Sequence, residues 1–254
     1  MSCKLFGSGA YPFIFVMMVF EKTIEEVIDE NYVYARALHY LGIDFFENPH
    51  KKLNEICKEK DLDKRLVIKS FYMFDSNPRI SFSELETYPT ELLVEFLKQT
   101  HHIFIKEKLP FIVHLAKNWE ANRNLSSLLP DFIEDLIKHI YEEEDSTFKY
   151  IQLLLDISKR KVNAPVSALL SFKGFSLEKE YAHHEAEDEF AAIRTLISSI
   201  EAKDLRERIL IKEINAFDRE MVYHAEIENK IFFPKAIQLE AEVNSKIQLL
   251  STLN

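Results

Sequence analysis

Apolar residues recur at spacings of three and four along most of this chain, and strict alternation is scarce. That period predicts helices and no sheet, an all-α fold. A first helical stretch covers about Thr23–Leu41 and stops at Gly42, a residue suited to a helix C-terminus. Two shorter stretches follow, Pro49–Lys60 and Asp63–Phe74. The segment Asp75–Pro89 holds two prolines, Ser76-Asn77 and no helical period, and reads as a linker. Four longer stretches come next: A at Thr90–Glu120, B at Pro130–Ile157, C at Ser176–Ile200 and D at Asp204–Leu239. Their lengths of about 25–35 residues and mostly short connections predict an up-down four-helix bundle. The expected organisation is therefore an N-terminal extension over 1–22, a small helical domain over 23–75, a linker over 76–89, the bundle over 90–240 and a tail over 241–254.

Composition narrows the class. Hydrophobic residues make up 47 % of 254, enough for a packed core. Four glycines and eight prolines are too few for an all-β chain or a phosphate-cradling loop. The formal charge of −10 offers no basic face to a nucleic-acid backbone, so no nucleic-acid partner is expected. Two cysteines, Cys3 and Cys57, form neither a disulfide framework nor a zinc knuckle, which fits a reducing compartment. The longest apolar run, Tyr11–Phe20, is short of the ~20 residues a membrane span needs. It is also a weak signal peptide. Residues 1–17 read as a packed segment or as an extension upstream of a start at Met17 or Met18. A cytoplasmic protein without membrane association is expected.

The candidate chemistry lies in polar residues on apolar seams. In stretch D the seam reads Leu210, Ile214, Phe217, Met221, His224, Glu228 and Ile231. In stretch B it reads Phe132, Leu136, His139, Glu143, Thr147, Tyr150 and Leu154. Each seam places a histidine and a glutamate four residues apart, hence on one face one turn apart. In stretch C, His183 fits the seam better than His184. In stretch A the period does not choose between His101 and His102, because both flanks are apolar.

A buried carboxylate must be neutralised, paired or bound to a metal. In an antiparallel hairpin, residues equidistant from the turn share a level. The midpoints of His183 with His224, His139 with His183 and His102 with His139 all fall at or beside breaks between stretches. Four histidines and two glutamates would then meet inside the bundle. Two carboxylates can bridge two metals, and nitrogen–oxygen ligation without thiolate suits iron or manganese rather than structural zinc.

At these residues the chain resembles the hemerythrin-like di-iron proteins of the iron–sulfur cluster repair family. His224-Ala225-Glu226-Ile227-Glu228-Asn229-Lys230-Ile231-Phe232-Phe233-Pro234 is similar to that family's last-helix signature. His139-Ile140-Tyr141-Glu142-Glu143-Glu144 and His183-His184-Glu185-Ala186 resemble two earlier motifs. His102, seven residues before Leu109-Pro110, resembles the first-helix histidine. The resemblance implies a centre of two iron ions held by His102, His139, Glu143, His183, His224 and Glu228. The other acids of Glu142–Asp145 read as a solvated face. Phe148 is followed by Lys149 where the family has proline.

Gly42-Ile43-Asp44-Phe45 resembles the family's small N-terminal domain. The family follows it with two cysteines, and here Phe46 and Glu47 stand instead. The implied function is repair of iron–sulfur clusters damaged by nitrosative or oxidative stress, with iron–sulfur proteins as partners. The missing cysteine pair moves weight to an alternative, a dioxygen- or nitric-oxide-binding sensor. A metal-free bundle with a hydrogen-bonded polar seam is the third reading. Homodimerisation is compatible with the sequence, and turnover of an organic substrate is not predicted.

Overall fold

The computed structural model describes residues 18–75, 80–117, 123–159, 169, 171–186, 190–198 and 200–252, leaving out the side chains of 123–126, 183–186 and 250–252. The described residues form helices and no strand, so the fold is all-α. No described helix is long and apolar enough to cross a membrane. The chain divides into two compact units, one of residues 1–79 with 202–212 and one of 80–201 with 213–254.

The small unit contains α1 (Ile24–Glu30), α2 (Tyr34–Tyr40), α3 (Leu53–Glu59) and α4 (Lys64–Asp75). Thr23 starts α1 with a reciprocal cap. Its Oγ1 accepts from the Glu26 amide at 3.2 Å, and a Glu26 carboxylate oxygen accepts from the Thr23 amide at 2.8 Å. The predicted single helix over Thr23–Leu41 is broken at Asn31. That residue is extended, and its side-chain oxygen accepts from the Val33 amide at 3.2 Å, a local turn that competes with helix. Gly42, at φ 71°, ends α2 in the left-handed conformation, and the Ile43 amide donates to the Leu38 carbonyl at 2.9 Å, closing a Schellman turn. Ile28, Leu38, Phe45 and Leu53 are fully buried, and Tyr34 stacks on Phe71 at 4.4 Å.

Among the described residues, the helices of the large unit group into four rods. Rod A joins α6 (Thr90–Ile103) to α7 (Leu109–Ala116), and rod B joins α8 (Arg123–Glu143) to α9 (Lys149–Ser158). Rod C has α10 (Leu177–Ala186) and α11 (Ala191–Ser198), and rod D joins α12 (Leu205–Ile227) to α13 (Phe233–Thr252). The first eight residues or so of α12 belong to the small unit. A short α5 (Phe82–Leu85) precedes rod A. Rod B touches A, C and D, and rod D also touches A and C.

Rods A, B and D each contain a π-helical turn, at Phe104–Lys108, Glu144–Phe148 and Glu228–Phe232. Such turns carry an extra residue and rotate everything beyond them.

Three boundaries differ from the sequence reading. Part of the expected linker is built into the large unit: Leu85 is fully buried and the Lys235 ammonium donates to the Glu86 and Tyr88 carbonyls, each at 2.7 Å. The expected tail continues α13, with Val243 fully buried. Rod B begins before Pro130, which lies within α8.

Aromatic rings pack against one another in the interior of the large unit. Phe148 packs edge-on to Phe232 at 5.3 Å, and Phe217 meets Phe104 at 5.0 Å and Phe190 at 5.5 Å. Phe232 is fully buried, so Phe232→Ala is expected to lower stability by about 3–5 kcal/mol in urea unfolding. The exposed Leu66 (47 %) changed to Gln is expected to stay within about 0.5 kcal/mol of the parent.

Candidate metal centre

Rods A, B and D each send polar side chains into this aromatic interior. His101, Glu143, His224 and Glu228 are 1 %, 5 %, 4 % and 3 % exposed. One ligand atom from each lies within 4.8 Å of the others. The Nε2 atoms of His101 and His224 are 2.9 Å apart. His101 Nε2 is 3.5 Å from a Glu143 oxygen, and His224 Nε2 is 2.8 Å from Glu228. The last pair is one turn apart on rod D, as the seam predicts. On the far side of the His101 ring, Nδ1 lies 2.9 Å from Glu144 Oε1.

Burial sets the charge states. It pulls His101 down to about 3, with the neighbouring His224 adding to the effect and Glu144 opposing it. It pulls His224 down to about 3 as well, helped by His139. Both rings are therefore neutral and have a lone pair for a metal. Glu143 is pushed well above the usual carboxylate range, first by burial and then by the Glu228 charge beside it.

The donor set fits a metal. Two neutral imidazoles and two carboxylates converge with no thiolate, which suits iron or manganese. Among the described residues, Glu143 Oε1 and His224 Nδ1 are buried without a hydrogen-bond partner, an expensive condition in an apolar interior. A cation between the carboxylates would relieve it. A pocket of about 100 Å³ adjoins these residues, and its wall includes His139 and the Arg194–Asp218 ion pair, with Nε to Oδ1 at 3.0 Å.

Of the six residues inferred from sequence, Glu143, His224 and Glu228 meet in this group. His139 is half-buried on the wall of the adjoining pocket. The side chain of His183 lies outside the described residues. His102 needs correction: it is exposed, and His101 occupies the inward position. The resemblance selects His102 by its distance of seven residues from Leu109-Pro110, which spans two turns only in a regular α-helix. The intervening π turn at Phe104–Lys108 lengthens two turns to about eight residues, which brings the buried Leu109 and His101 onto one face.

A signal for His101 was present. Val94, Leu97, His101 and Phe104 follow a 3-4-3 pattern and are all buried, whereas Glu95, Lys98, His102 and Lys106 are polar. Glu144 was read as part of a solvated face, and its contact with His101 was not visible in the spacing.

Similarity to known proteins agrees with the site. The chain is 25 % identical over 171 residues to a protein of Yersinia pseudotuberculosis named iron-sulfur cluster repair protein YtfE, covering 63 % of this chain and 72 % of that one. It is 22 % identical over 212 residues to a protein of the same name from Musicola paradisiaca, covering 79 % and 89 %. No family model matches. The chain is a distant relative of these repair proteins. The cysteine pair that the resemblance leads one to expect is missing: Phe46 and Glu47 follow Phe45, and Cys57 is the one cysteine among the described residues.

His101→Ala is expected to lower iron retention at least tenfold and His102→Ala to leave it unchanged, measured by metal analysis after dialysis. The two buried histidines also set a pH dependence. Their folded values near 3 lie below the ordinary 6.5, so the metal-free protein loses stability as pH falls from 6.5 towards 3. Glu143 acts oppositely: the stability from its raised value is complete below 4.5 and is lost as pH rises through the folded value. Metal binding removes that loss. The rise in Tm on adding ferrous ion should therefore be larger at pH 7.5 than at pH 5, by calorimetry.

Proposed function

We propose that this chain is a non-haem di-iron protein that takes part in repairing iron–sulfur clusters damaged by nitrosative or oxidative stress. The observation that carries this reading is the convergence of His101, His224, Glu143 and Glu228 inside an aromatic interior, in a chain related to proteins named for that repair. The full ligand set is proposed as these four with His139 and His183, in an up-down bundle of the four rods. Glu143 and Glu228 would hold the ions through carboxylate oxygens and the histidines through ring nitrogens. Iron, when bound, supplies redox chemistry and an ion that can be passed to a damaged cluster.

The protein's own residues do the rest. Phe104, Phe148 and Phe217 keep bulk water from the donors, which strengthens their hold on a cation. The adjoining pocket of about 100 Å³ suits a diatomic molecule such as dioxygen or nitric oxide and is small for an organic substrate. Iron–sulfur proteins are the proposed partners, the compartment is cytoplasmic, and a homodimer is compatible with this reading.

One observation favours the second reading, a sensor of dioxygen or nitric oxide without repair activity. Cys57 is buried (2 %), and burial pushes its thiol up, so it is a poor nucleophile. With no cysteine pair after Phe45, the small unit offers no thiol step there.

Protein purified without added metal is expected to contain about two irons per chain, and Glu228→Ala to lose them. The iron-loaded protein is expected to reactivate a nitric-oxide-damaged iron–sulfur enzyme. Reversible gas binding without reactivation would favour the sensor. Absence of any metal, with the fold intact, would leave only a hydrogen-bonded polar seam.

A further inference from the structure

We propose that Glu144 is a positioning residue for the metal centre, holding His101 with its proton on Nδ1 so that Nε2 presents its lone pair to the ion. The proposal rests on the di-iron reading and adds a residue which that reading does not use. Two consecutive carboxylates of rod B lie at opposite edges of one ring, and His224 Nε2 is 2.9 Å from the inner edge. Glu143 lies 3.5 Å from His101 Nε2, and Glu144 Oε1 lies 2.9 Å from Nδ1. An ionised carboxylate can only accept, so the Nδ1 edge must donate. A neutral imidazole has one N–H, and placing it on Nδ1 leaves Nε2 bare.

The ring is also held against rotation. His101 stacks on Phe148 with centroids 5.6 Å apart and planes 1° from parallel. Glu144 and Phe148 are the first and last residues of the π turn Glu144–Phe148. One irregular turn thus supplies the acceptor that sets the tautomer and the surface that fixes the ring plane. Irregular turns of this kind concentrate at functional sites. Glu144 is 28 % exposed at its side chain while His101 is 2 %, so the carboxylate keeps some hydration and gives up less to hold the buried ring. A carboxylate behind a ligating histidine typically changes metal affinity 10–100-fold.

The test uses Glu144→Ala, Glu144→Gln and the control Asp145→Ala in the full chain, loaded with cobalt(II). Asp145 is 71 % exposed and pairs with Lys149, away from the ring. Chelator competition is expected to show cobalt binding about 10–100-fold weaker in the alanine variant and within about threefold of the parent in the glutamine variant and the control. The glutamine amide oxygen still accepts a hydrogen bond from Nδ1–H. Proton NMR of the cobalt protein is expected to show a shifted, slowly exchanging His101 Nδ1–H signal in the parent and the glutamine variant. It should be broadened by exchange in the alanine variant. Unchanged affinity and an unchanged signal in Glu144→Ala would overturn the positioning role alone. A parent that binds no cobalt would overturn the di-iron reading and this role with it.

Discussion

Two carboxylates and two imidazoles share an interior that water hardly reaches, and the rest of the large unit is arranged around that fact. An ionised carboxylate removed from water costs several kcal/mol unless another charge compensates it. Glu143 and Glu228 are both nearly buried, and the Glu228 charge beside Glu143 raises the cost of ionising it. Neutral His101 and His224 offer lone pairs but no positive charge. An ensemble of this kind is frustrated by itself and relieved by a cation, which is why it reads as a binding site rather than as a structural ion-pair network.

Among the described residues, a π turn adjoins the donors in each of rods A, B and D. A regular helix would keep its apolar seam in register from end to end. Inserting one residue near the centre of rods A, B and D lets the seam turn at the level of the donors. The phenylalanines at 104, 148 and 232 lie in these same turns and are all buried. The irregular backbone therefore builds the polar centre and the apolar walls together. The Arg194–Asp218 pair on the wall of the adjoining pocket adds neutralised charge beside the donors without consuming a ligand.

Much of this was legible in residue spacing. Seams in stretches B and D that interrupt apolar residues with His139 and Glu143, and with His224 and Glu228, forecast the polar interior, because a helical period places each pair on one face. What escaped were features that spacing does not encode. A π turn leaves no fixed residue signature, and the resemblance that selects His102 passes over the turn at Phe104–Lys108. Asn31 breaks a helix through a side-chain hydrogen bond that competes with the backbone, and apolar periodicity passes over it. The residues at 202–212 continue the period of rod D, yet they belong to the small unit. Glu144 sits in a run of acids and looks solvated until a tertiary partner, His101, is seen beside it.

The central claim is that a cation belongs among four buried side chains. The most direct measurement is anomalous diffraction at the iron edge from crystals of the iron-loaded protein. Anomalous density is expected within coordination distance of His101 Nε2, His224 Nε2 and the carboxylates of Glu143 and Glu228. Iron located elsewhere on the chain, or these four side chains pairing only with one another in a fully loaded crystal, would contradict it.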